Sequence, residues 1–187
     1  MPLNLSSGGG DFDPYCKYNA KSGRWYFKDG EQEVEVNDPS FVADFDNIKT
    51  GWMLFLEGQA PDRVFDESLE QPAPKPSDAH KRGFVLRLFS PQSFKGVVEL
   101  SATSMHVCNA INDLYTQYEA GKAANAGKLP VIKCEGTTPS KDKFGTNYKP
   151  NMRIDSWIER PQEFDSPRAS NDAESAPQPA ASSVSEF

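Results

Sequence analysis

The apolar residues of this chain take a helical spacing in only one segment, and that limits the folds open to it. Up to Ser90 they come in short runs. "GRWYFKDG" is aromatic and bounded by glycines. "EQEVEVN" alternates, with Val34 and Val36 on one face and Glu33 and Glu35 on the other. "KDGE" between them has the composition of a hairpin turn. "SFVADFDNI", "GWMLFLEG" and "RGFVLRLFS" read as further strands. The second is a continuous apolar run, which fits a strand buried on both faces with Trp52 and Phe55 in the core. Then Met105, Cys108, Ile111, Asn112, Tyr115 and Tyr118 fall three and four apart, with Leu114 alongside. That spacing is one amphipathic helix, its stripe facing the core. Thr103 or Ser104 is placed to cap its start, and Gly121 or Gly127 to end it.

Strands resume with "KLPVIKCEG" and close with "MRIDSWIE", separated by the polar loop "TTPSKDKFGTNYKPN". In the last strand, alternation puts Met152, Ile154, Ser156 and Ile158 on one face. Arg153, Asp155, Trp157 and Glu159 take the other, so Trp157 points outward beside Arg153. The fold class is mostly β with one main helix. A five-stranded OB-like barrel sets its helix between strands three and four and pairs strands four and five as a hairpin, which this order matches. Other small β-barrels fit the same order.

Composition divides the chain into three parts. Residues 1–14 contain the linker-like "SSGGG" and are expected to be flexible. Residues 15–164 form the folded body, large enough to bury roughly 68–70% of its unfolded surface without a metal or disulfide. Residues 165–187 are Ser, Ala, Pro and acid, and are expected to be disordered. Within the body, prolines at 72, 74 and 76 make Glu67–Lys81 a long extended loop. Cys16, Cys108 and Cys134 are odd in number and widely spaced, which reads as reduced thiols in an intracellular, cytoplasmic protein. The first residues show no basic and apolar pattern of a signal peptide, and no apolar run is long enough to span a membrane.

The chemistry is that of a binder. The sequence lacks Gly-x-Ser-x-Gly, a phosphate-cradling Gly-x4-Gly-Lys and His-Glu-x-x-His. His80 and His106 stand at no metal-ligand spacing, so no catalytic residue, metal or cofactor is expected. The net charge is −7, yet residues 80–160 hold 12 basic and 7 acidic side chains. In that half, and in "GRWYFK", cations interleave with aromatics. Single-strand binders need both, because cations track phosphates and aromatic faces stack bases. The candidate nucleic-acid contacts are Arg24, Tyr26 and Lys28 on one strand face, then Lys81, Arg82 and Arg87. Lys141, Lys143, Phe144, Tyr148 and Lys149 follow in the polar loop, then Arg153 and Trp157 in the last strand.

With "KRGFVLRLF" and "TNYKPNMRIDSWIERP" added to "GRWYFK", and with the tail "NDAESAPQPAASSVSEF", the chain resembles phage-type single-stranded DNA-binding proteins. The resemblance implies an OB fold that coats single-stranded DNA during replication or recombination with little sequence preference. It also implies a C-terminal tail that recruits replication or recombination proteins through Glu186 and Phe187 and competes with DNA for the basic groove. The alternative is a non-enzymatic protein-interaction module, such as a replication accessory or phage structural protein, which the acidic first half and a pI near 4.9 favour.

Overall fold

A computed structural model describes residues 13–165. The expected disorder of residues 1–12 and 166–187, and the tail contacts Glu186 and Phe187, lie outside the described residues. The chain opens with an antiparallel meander of β1 (Tyr15–Asn19), β2 (Arg24–Asp29) and β3 (Gln32–Val36). Alternation decides which side each residue faces. Cys16, Tyr18, Trp25 and Phe27 are buried, while Lys17 and Arg24 are exposed. The β1–β2 turn closes on Gly23 at φ +70°, whose N–H donates to the Asn19 carbonyl at 2.8 Å.

β4 (Ser40–Ala43) runs through a 3-10 turn at Phe45–Asn47 into β5 (Lys49–Leu54), and β6 (Asp62–Phe65) returns along β5. β7 (Lys81–Ser90) is the spine of the sheet. Its first half pairs with β5, its second half with β4, and its other edge with β8 (Gly96–Ala102). Gly51 and Gly83 stand opposite each other where β5 crosses β7. A Cβ on Gly51 would lie 2.4 Å from the Val64 carbonyl, and one on Gly83 2.4 Å from that of Ala102. The backbones approach too closely there for any side chain. The helix α1 (Met105–Lys122) follows, then β9 (Lys128–Asp142) and β10 (Gly145–Glu159).

The ten strands form one sheet in the order β10-β9-β4-β7-β8-β1-β2-β3, with β5 and β6 branching from β7. The sheet curls into an open half-barrel. Two bonds tie its first hairpin to its last across the open side. Tyr148 N–H donates to the Ala20 carbonyl at 2.7 Å, and the Tyr18 hydroxyl donates to the Tyr148 carbonyl at 2.9 Å. The main core packs Trp25, Phe41, Phe45 and Phe84 against Val107, Ile111, Leu114 and Tyr118 of α1. A smaller core joins Val42, Phe89, Leu129 and Val131 to Phe164.

Several details differ from the sequence expectation. The buried stripe of α1 is Val107, Ala110, Ile111, Leu114 and Tyr118. Met105, in the first turn, is 68% exposed. Ser104 occupies the N-cap position without a side-chain bond, and Gly127, at φ +75°, follows the 3-10 turn that extends the helix. "GWMLFLEG" is not buried on both faces. Gly51 and Met53 point inward, Trp52 and Leu54 are half-buried, and Phe55 and Leu56 are exposed past the strand end.

The segment "TTPSKDKFGTNYKPN" is not a loop. β9 and β10 run through it as two 15-residue strands, leaving Lys143 and Phe144 as a two-residue turn before Gly145 at φ +111°. The register of β10 shifts between Ile154 and Ser156. This irregularity at Asp155 reverses the alternation beyond it. Trp157 therefore joins Met152 and Ile154 against the main core and does not face outward with Arg153, while Ile158 packs on the smaller core.

Candidate nucleic-acid interface

The expected contacts separate into those that the fold has already engaged and those that it leaves available. The outer face of β1–β3 neutralises itself. Arg24 Nη1 donates to both oxygens of Glu35, at 3.0 and 2.9 Å. Lys17 pairs with Glu33 at 2.8 Å and lies over the Tyr26 ring, 5.6 Å from its centroid. The Lys17 ammonium, with help from the Tyr15 hydroxyl, holds the Glu33 carboxyl below its usual range. Lys28 donates to the Glu31 carbonyl at 2.9 Å.

Arg82 forks onto Asp66 at 2.8 and 2.6 Å. Asp66 also accepts from the Thr50 hydroxyl at 2.6 Å and the Ala73 N–H at 2.8 Å. These donors, Arg82 first, hold its carboxyl well below the ordinary carboxylate range. The same node fixes the Pro-rich segment, because the Trp52 indole donates to the Ala73 carbonyl at 2.7 Å. The Arg82 guanidinium lies 5.2 Å from the Trp52 ring centroid.

Arg87 is a structural clasp. It donates to Asp13 at 2.8 Å and to the Phe164 carbonyl at 2.7 Å, so it binds both ends of the described body. Arg63 reaches from β6 to Glu99 at 2.6 Å and to Ser101 at 3.1 Å. The chain itself therefore covers the face of β7 and β8 that carries Arg87 and Glu99. On β10, Lys149 pairs with Asp113 of α1 at 2.7 Å. Arg153 pairs with Glu135 at 2.9 Å and Asp155 at 2.7 Å, and Lys133 also reaches Asp155 at 3.3 Å.

His80 is buried between the Ser77 hydroxyl at 2.7 Å and Asp62 at 3.1 Å. No cluster of potential metal ligands occurs among the described residues. No helix among them is long and apolar enough to cross a membrane.

What stays available gathers at the tip of the β9–β10 hairpin. Phe144 is 75% exposed. The Lys143 ammonium sits 5.0 Å from its ring centroid. Lys141 is exposed one residue before Asp142. Asp142 is occupied in shaping the turn, accepting from Phe144 N–H at 2.7 Å and from the Asn147 amide at 3.1 Å. Lys21 joins from the β1–β2 turn, donating to the Phe144 carbonyl at 3.4 Å. Sequence reading overlooked Lys21, although a lysine in a tight Asn-to-Gly turn is bound to project. Tyr148 lies at the base of the tip, half-buried over Gly23, whose added Cβ would meet Tyr148 Cβ at 3.2 Å.

No protein-family model, curated protein or solved structure matches this chain. The site is therefore read from its own geometry. Lys143 sits over one exposed aromatic ring, Lys21 reaches that residue's carbonyl and Lys141 is exposed on the adjoining end of β9, and among the described residues none of the three has a carboxylate in ion-pair contact. Such a tip can hold phosphates on ammonium groups while a base lies on the ring. The ion-paired cations elsewhere are poorer phosphate ligands, because a phosphate must displace the carboxylate each already holds.

Proposed function

We propose that this protein binds single-stranded DNA without sequence preference, in replication or recombination, with the β9–β10 tip as its principal contact. The observation that carries the reading is Phe144, exposed among Lys21, Lys141 and Lys143. The strand order supports an OB-type unit. β4–β5, β7, β8, β9 and β10 serve as strands one to five, with α1 between the third and fourth. OB domains bind oligonucleotides with strands two and three and the flanking loops one–two and four–five. Here the β9–β10 tip is the four–five connection. The one–two connection, residues 55–80, carries exposed Phe55, Leu56, Phe65 and Leu69. Because the chain covers the β7–β8 face, DNA contact shifts onto these connections. The tail then serves to recruit partner proteins.

Titration of labelled oligo-dT at low and high salt tests the reading. Binding that weakens with salt supports it through counterion release. No binding at low salt, with and without residues 166–187, overturns it. A protein-interaction module is the second reading, favoured by the self-neutralised outer face of β1–β3.

A further inference from the structure

A cleft of about 580 Å³ opens between α1 and the corner where β5 meets β7. Its volume is in the range of a small-molecule site. Its deep wall is apolar, with Phe84 and Ile111 buried and Tyr115 half-buried. Its outer margin is polar and cationic. Asn109 and Asn112, one helical turn apart, are both exposed there, as are Lys81 and Arg82 on β7. No Asp or Glu lines the cleft. Asp66, the nearby carboxylate, is already held by Arg82, Thr50 and Ala73. Met105 lines the cleft with an unusually exposed side chain, at 68%.

We propose that this cleft receives one nucleotide of the bound single strand, an inference that rests on the DNA-binding reading above. The base enters between Met105 and Tyr115, which offer a thioether and an aromatic face. Asn109 and Asn112 meet its polar edge, since an amide both donates and accepts and so suits any base. The phosphate lies at Lys81, since Arg82 beside it is held by Asp66. Charge complementarity selects this occupant. A neutral apolar ligand would leave the Lys81 ammonium and two amides unused, whereas a nucleotide uses the apolar wall and the polar margin together.

The test uses the full chain and three variants at exposed positions: Met105→Glu, the double variant Asn109→Ala/Asn112→Ala, and the tip variant Lys141→Ala/Lys143→Ala. Oligo-dT affinity and thermal melting are measured for each, and an oligonucleotide carrying 5-iododeoxyuridine is photo-crosslinked to the wild type. Both cleft variants are expected to melt like the wild type and to bind at least about fivefold more weakly, the lower end of the effect of losing one stacked base. Crosslinks are expected at Tyr115 or Met105. If the wild type binds and the tip variant weakens binding, but both cleft variants bind normally and crosslinks fall elsewhere, the cleft assignment is wrong and the DNA-binding reading stands. If the wild type does not bind, both are wrong.

Discussion

The indole of Trp157 stacks on the phenol of Tyr118, with ring centroids 5.8 Å apart and planes inclined by 24°. The contact joins the end of β10 to the last turns of α1. Gly121 makes room for it, since an added Cβ would come within 2.6 Å of Trp157 Cζ2. Trp157 therefore stabilises the fold and offers no free platform for a base. Trp157→Ala is expected to lower unfolding stability by about 2–3 kcal/mol in urea titration and to leave oligo-dT affinity unchanged. Gly121→Ala is expected to cost about 1 kcal/mol or more by overpacking, although Ala is the better helix former.

The bond across the open side of the sheet predicts an alkaline limit. Burial pushes the Tyr18 hydroxyl up to about 12. In the unfolded chain a tyrosine titrates near 10. The folded state thus keeps this proton at pH values where the unfolded state has lost it. Stability from Tyr18 is complete below about pH 10 and is lost as pH rises towards and through 12. Tyr118 is shifted in the same direction, first by burial and then by Asp46. Denaturant unfolding between pH 9 and 12 should show the decline, to order of magnitude set by these shifts. Tyr18→Phe should make it shallower and cost about 1 kcal/mol at neutral pH for the lost hydrogen bond.

Arg87 was a plausible DNA contact by composition, but its bonds point inward. Arg87→Ala should destabilise the fold by about 2 kcal/mol, because it removes the ion pair to a largely buried Asp13 carboxylate and the hydrogen bond to the Phe164 carbonyl. Limited proteolysis should then cut near residue 160 faster than in the wild type. Oligo-dT affinity of the folded variant should not change.

Local pattern carried much of the fold into the sequence. The alternation of "GRWYFKDG" and "EQEVEVN" yields β2, β3 and their turn, and the spacing from Cys108 to Tyr118 yields α1. What stayed hidden depends on contacts distant in sequence. The alternation rule fails at Trp157 because a one-residue register shift at Asp155 is set by pairing with β9. The hairpin read as a loop because its Thr, Lys and Asn residues have neither the apolar run nor the strict alternation of a buried strand. The partners of the basic residues were equally hidden. Asp13 lies 74 residues from Arg87, and Asp113 lies 36 from Lys149. Counting cations identified a basic half, but pairing across the fold decides which of them are available.

At the tip, Phe144→Ala should weaken oligo-dT binding by about 1–3 kcal/mol without lowering stability, since the ring packs on little else. Fluorescence anisotropy at one low salt concentration is sufficient to measure it.

The central claim is that free lysines around Phe144 hold the phosphates of a single strand. Its most direct test is the salt dependence of oligo-dT affinity for the wild type and for Lys141→Ala/Lys143→Ala. The account predicts that the variant folds normally, binds more weakly at low salt, and shows a log–log salt slope smaller by about 0.7 for each lysine removed. A wild-type affinity that salt leaves unchanged, or a variant with the wild-type slope, would contradict it.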